Sequence, residues 1–197
     1  MLLAENAGAG TIIFNDFGPS NAYSSTTGWS FFQTSGPSGN ATMANQFTPS
    51  GTYQLSQIDL ALLFVSGTNA ATVTLNSNTS GSPGAVLATW NLSGLPANQT
   101  CCTVQTLLPV SPLVLSSGTP YWIVVSEPFP NSIGYWAVNT TGVTGIAESN
   151  TGSGWFSCCS SLGAFDVQGN AVPEPATVTT GGLALLFIIV RKRLLRP

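Results

Sequence analysis

YWIVVS, from Tyr121 to Ser126, decides the fold. The stretch is almost wholly apolar and starts straight after a Ser-Ser-Gly-Thr-Pro turn at Ser116–Pro120. A strand with one wet face alternates apolar and polar residues; a strand without alternation is covered on both faces. Tyr121–Ser126 therefore reads as a central strand, with Trp122 in the core.

Short β-rich runs lie on either side of it. Thr11–Phe14, Trp29–Phe32 and Ala41–Phe47 come first, the last ahead of a Pro-Ser-Gly turn. In Tyr53–Val65, the residues Leu55, Ile58, Leu60 and Leu62 share a face only if a bulge near Ser56-Gln57 shifts the register. Ala71–Ser77 alternates cleanly, with Val73 and Leu75 on one face. Ser80–Gly84 has turn composition, and Ala85–Leu92, Cys101–Leu108 and Pro112–Leu115 follow. Ile133–Asn139, Val143–Glu148 and Ala164–Gly169 complete the set, while Ser149–Gly163 reads as a loop. Roughly ten strands with turn signals every ~8–15 residues predict an all-β, antiparallel, jelly-roll-like β-sandwich over residues 10–171.

Charge narrows the partners. The chain of 197 residues has four Lys plus Arg and no His. All four basic residues, Arg191, Lys192, Arg193 and Arg196, sit at the C-terminal end. Phosphate binding depends on Lys and Arg, so nucleic acid is excluded as a partner of the body. The polar residues are mostly Ser, Thr, Asn and Gly, which suits an exported β-protein, and the 43% apolar content rules against a disordered stalk.

Cysteine occurs as two adjacent pairs, Cys101-Cys102 and Cys158-Cys159. The even count predicts disulfides in an oxidising compartment. Neighbours on a strand point to opposite faces, so each pair is expected to send one sulfur inward and one outward. Three connectivities remain open. Zinc ligands need wider spacing, and no CxxC or basic neighbour favours redox chemistry.

The body offers little for catalysis, because His and Lys are absent from it and the cysteines have no imidazole partner. No catalytic residue, metal ligand or cofactor is assigned. Glu127 with Glu148, or Asp59 with Asp166, would need folding to bring them within the ~5–9.5 Å that glycoside hydrolysis uses. Asn15-Asp16 has oxygen ligands suited to calcium but reads more simply as a turn-forming Asx pair. Sugar binding is the stronger rival. Trp29, Trp90, Trp122, Tyr135, Trp136 and Trp155 are the aromatics to consider, with Tyr135, Trp136 and Trp155 as sugar-stacking candidates. One of the neighbours Tyr135 and Trp136 should point away from the core, and Trp155, in a Gly-rich segment, should be exposed. Asn-x-Ser/Thr triplets start at Asn40, Asn78, Asn91, Asn98 and Asn139.

Both ends have their own grammar. Residues 1–9 read either as the remnant of a signal peptide whose start lies upstream, with Ala7-Gly8-Ala9 in the small-x-small form of a cleavage site, or as a disordered N-terminus with chance alanines. After Val172 come Pro173, Glu174 and Pro175, and Thr177 can cap a helix. Ala176 to Val190 supplies about fifteen apolar or weakly polar residues, roughly 22 Å of helix at ~1.5 Å each, against about 30 Å of hydrocarbon. Leu183, Leu185, Leu186, Phe187, Ile188, Ile189 and Val190 leave that helix no polar face. Arg191, Lys192 and Arg193 would stay on the cytoplasmic side, with the body facing outward. A single C-terminal hydrophobic helix is therefore expected after the sandwich.

Residues 172–197 resemble the PEP-CTERM sorting tail of bacterial exported proteins. The matching parts are Val172-Pro173-Glu174-Pro175-Ala176-Thr177, then Gly181-Gly182-Leu183-Ala184-Leu185-Leu186, then Arg191-Lys192-Arg193. The resemblance implies recognition by an exosortase, a membrane-embedded cysteine enzyme that cuts near Pro-Glu-Pro, in a Gram-negative bacterium with exopolysaccharide or biofilm-matrix genes. Leu194-Leu195-Arg196-Pro197 extends the tail beyond the usual basic cluster. The body is similar to choice-of-anchor β-domains at Ala44-Asn45-Gln46-Phe47, Gly81-Ser82-Pro83-Gly84 and Leu115 to Trp122, a class with no general catalytic assignment. The expected protein is an exported, non-enzymatic component of the envelope or extracellular matrix, structural or adhesive. Its expected partners are the sorting enzyme, the membrane before processing and a polysaccharide. The rival readings are a carbohydrate-binding module and a permanently tail-anchored envelope protein.

Overall fold

A computed structural model describes residues 10–35 and 39–173. In chain order the strands are β1 (Thr11–Asn15), β2 (Tyr23–Gln33), β3 (Asn40–Phe47), β4 (Tyr53–Leu60), β5 (Leu62–Ser66), β6 (Ala70–Thr79) and β7 (Ser82–Ser93). Then come β8 (Gln105–Leu107), β9 (Val114–Leu115), β10 (Tyr121–Ser126), β11 (Ser132–Asn139), β12 (Thr144–Asn150), β13 (Trp155–Ser161) and β14 (Phe165–Ala171). The smaller sheet runs β1-β14-β4-β8, with β9 also on β4. The larger runs β5-β11-β2-β3-β10-β6-β7, and the β12–β13 hairpin adds to it by pairing β12 with β3. The paired strands run antiparallel, and the described residues form an all-β sandwich.

β10 sits where its sequence puts it, between β3 and β6. Tyr121, Ile123 and Val125 enter the inter-sheet core beside Leu55, Ile58, Leu60, Phe165 and Val167 of the small sheet. Trp122 and Val124 face the other way and pack with Ala44 and Trp155. Both faces are therefore covered. Each such large apolar side chain contributes about 1.5–3 kcal/mol by leaving water.

The bulge expected near Ser56-Gln57 falls at Ser56. Gln168 pairs with Gln57 and the next residue, Gly169, pairs with Leu55, so Ser56 is the extra residue on β4. The chain then changes sheets at Ala61, whose N–H donates to Ala164 and whose carbonyl accepts from Ala137. Bulge and crossover together deliver Leu55, Ile58, Leu60 and Leu62 to one core.

Three readings need correction. Within Cys101–Leu108 only Gln105–Leu107 is strand. In Ser80–Gly84 the turn is confined to Ser80 and Gly81, both with positive φ (53° and 94°), and Ser82 already pairs with Thr79. Two such residues give the twist a two-residue hairpin needs. The stretch read as a loop, Ser149–Gly163, contains β13. The Ser and Gly around it mask the β-formers Trp155 and Phe156 that open the strand, and its ladder is made against β12. The expected C-terminal helix lies outside the described residues.

Candidate functional site: the outer face of the large sheet

Pairing places a polar band on the face of the large sheet that points away from the core. In one row Ser157 opposes Glu148, Glu148 opposes Ala44, Ala44 opposes Val124, Val124 opposes Thr74 and Thr74 opposes Thr89. In the neighbouring row Trp155 opposes Asn150, Asn150 opposes Thr42, and further along Ser126 opposes Thr72 and Thr72 opposes Asn91. Period-two alternation explains why: on β6, Thr72 and Thr74 face out because Val73 and Leu75 face in.

The tip of the β6–β7 hairpin bends over one end of this face. Ser82 Oγ donates to Glu148 Oε1 at 3.1 Å, across the intervening strands. Trp122 lies fully buried, its Nε1 donating to Asn78 Oδ1 at 2.9 Å. The tip is braced by Asn76 Nδ2, which donates to the Gly84 carbonyl at 2.8 Å, and Thr74 Oγ1 donates to Asn76 Oδ1 at 2.6 Å. Glu148 is buried and its Oε2 has no hydrogen-bond partner among the described residues. The Trp155–Asn91 row lies clear of the tip, its side chains half-buried or exposed.

The tryptophans separate by their N–H groups. Trp29 donates to Ser161, Trp90 to Leu108, Trp122 to Asn78 and Trp136 to Ala164. Trp155 is the one tryptophan whose indole N–H has no partner among the described residues. It is half-buried on the Trp122 cluster, and it stands in a strand rather than a loop. Trp136 is fully buried, which removes it as a stacking candidate. Tyr135 does point the other way, as expected of its neighbour, but it packs on a second cluster with Phe17, Tyr23 and Leu63.

All five described carboxylates are buried: Asp16, Asp59, Glu127, Glu148 and Asp166. With no Lys, Arg or His between residues 10 and 173, the described surface bears no ionic side chain. Folding does bring Asp59 and Asp166 together, opposite each other on β4 and β14. Asp59 is fully engaged, accepting from Thr106 Oγ1 at 2.6 Å and Gln57 Nε2 at 2.7 Å. Burial pushes Asp166 up to about 6, Gln168 pulls against this, and the Asp59 charge adds to it. Asp16 is raised to about 7, chiefly by burial, although the Phe165 N–H and the Asn139 amide favour its charged form. Glu127, just past β10, is raised to about 7 by burial.

Asn15 makes a local Asx contact, whereas Asp16 reaches a distant strand. Asn15 Oδ1 accepts from the Phe17 N–H at 2.8 Å and Asp16 Oδ1 from the Phe165 N–H at 2.7 Å. Among the described residues no group of three or more His, Cys, Asp or Glu is arranged to hold a metal ion. Asn139 is buried, its amide donating to Val143 and Leu162, so that triplet is closed to glycosylation.

The cysteines depart from expectation. Cys101 is bonded to Cys102 and Cys158 to Cys159. Neither pair obeys the in-and-out pleat. Cys101 and Cys102 lie outside any strand, and Cys102 has φ +74°. On β13, Ser157 opposes Glu148 and Cys159 opposes Ala147, so Cys158 is a bulged residue. Of the tail residues, Val172 and Pro173 are described. Val172 N–H donates to the Thr52 carbonyl at 3.0 Å. Glu174, Pro175, the apolar stretch from Thr177 to Val190 and the basic cluster Arg191–Arg193 lie outside the described residues. No helix among the described residues is long and apolar enough to cross a membrane.

No family model matches the chain, and no curated protein does. Among solved structures the chain is similar to one described as "Structure of infectious bursal disease virus Gx strain", at 10% identity. The match covers 88% of this chain and 47% of that one, with a TM-score of 0.25.

Proposed function

We propose that this chain is an exported, non-enzymatic component of the cell envelope or extracellular matrix of a Gram-negative bacterium, delivered by a C-terminal sorting tail. The carrying observation is the partition of charge. All four basic residues lie behind Pro-Glu-Pro and the apolar run, whereas the sandwich ahead of them carries none. That order suits a body translocated outward and a tail held at the cytoplasmic face. The disulfides suit an oxidising compartment.

In this reading the sandwich is jelly-roll-like, residues 176–190 form the hydrophobic helix, and an exosortase-type enzyme acts near Pro173-Glu174-Pro175. The body serves a structural or adhesive role. The test is the intact mass of the protein isolated from its producing bacterium. Loss of everything beyond roughly Pro175, including all four basic residues, is the expected result. A mass that retains Arg191 to Pro197 would overturn processing and leave a permanently tail-anchored protein.

A further inference from the structure

We propose that the outer face of the large sheet, along Trp155, Asn150, Thr42, Ser126, Thr72 and Asn91, binds a strand of neutral, hydroxyl-bearing polysaccharide. This goes beyond the sorting reading and does not use the tail, so either can fail alone. The row crosses β13, β12, β3, β10, β6 and β7. Five spacings of about 4.8 Å give a track of roughly 24 Å.

Its chemistry matches a polyol. Trp155 supplies a half-buried aromatic face and an indole N–H with no partner among the described residues. The remaining side chains are hydroxyls and amides; Asn150 Oδ1 accepts from the Gly152 N–H at 2.8 Å, which leaves its NH2 group to donate. Thr72 Oγ1 already donates to Asn91 Oδ1 at 3.1 Å, which holds that pair in orientation. The hairpin tip, fixed by Ser82 to Glu148, forms a wall along one side of the track.

Charge selects the class of glycan. The described surface has no cation to receive a carboxylate or sulfate. A protein partner fits less well. Protein interfaces centre on clustered apolar and Arg anchors, and this row has a single aromatic ring.

The experiment is gel retardation of the full chain, held in a sugar-free detergent, in native gels cast with a β-glucan, a mannan, a xylan or alginate. At least one neutral polymer should retard the protein, equally at low salt and at about 1 M salt, because no ion pair is involved. Trp155→Phe keeps a packed ring but removes the N–H, and Thr72→Val removes a hydroxyl at constant shape. Each should weaken retardation about threefold or more at an unchanged unfolding midpoint. Trp155→Ala should weaken it roughly tenfold. Retardation by alginate alone, retardation by none of the polymers, loss in high salt, or full retention in Trp155→Phe and Thr72→Val would each overturn the proposal.

Discussion

Trp136 shows how one residue organises its neighbours. Its indole lies edge-on to Phe165 with ring centroids 6.0 Å apart, and its N–H donates to the Ala164 carbonyl at 3.0 Å. A Cβ built on Gly163 would lie 2.5 Å from Trp136 Cδ1. The ring cannot retreat, because it is fully buried in the core. Gly163→Ala is therefore expected to destabilise the fold by about 1–3 kcal/mol through overpacking, measured by urea unfolding. An unchanged midpoint would mean that the ring has room to move. The sequence announces a tryptophan beside a tyrosine at 135 and 136 and says that one must point away. Pleat alternation made that legible. Which of the two faces the core depends on β11 being flanked by β2 and β5, and no local pattern encodes that.

At the scale of elements, the strands with strong alternation or apolar runs were legible, and so was the Ser56 bulge. β13 was not, because the Ser and Gly around it mask its β-formers Trp155 and Phe156, and its ladder is made against β12. The polar row of the candidate site suffered similarly: Thr72 can be read as outward-facing, but its place beside Ser126 and Asn91 follows only from strand order. The disulfides belong to this scale as well. A crosslink stabilises mainly by restricting the unfolded chain, and by an amount that grows with the loop it closes. A bond between sequence neighbours closes almost no loop. Replacing either pair by two serines should therefore change stability by less than about 1–2 kcal/mol, below the range usual for longer disulfide loops. Thermal unfolding checks this, and a non-reducing digest cut between Cys102 and Cys158 should release unlinked fragments. Linked fragments would refute the vicinal pairing.

For the molecule as a whole, the buried carboxylates set the response to pH. Asp16 and Glu127 are raised to about 7 and Asp166 to about 6, from ordinary values near 4. Between these limits the folded chain holds protons that the unfolded chain has released. Stability from these groups is thus full below about pH 4 and is lost as pH rises through 6 to 7. The unfolding temperature is expected to fall between about pH 4.5 and pH 8. Asp166→Asn should make that fall shallower, since it removes one of the titrating groups and its repulsion with Asp59. A midpoint that climbs with pH would contradict the burial of these carboxylates.

The last strand also has a mechanical meaning. β14 lies inside the small sheet, paired along its length with β4 on one side and β1 on the other, and the Val172–Thr52 hydrogen bond extends the grip by a residue. Any force applied through the chain beyond residue 173 is delivered to this strand end-on. Load along a strand held on both edges is shared by many ladder bonds at once, so they must shear together rather than peel one at a time. Tension at the C-terminal end is therefore borne by the best-clamped strand of the small sheet.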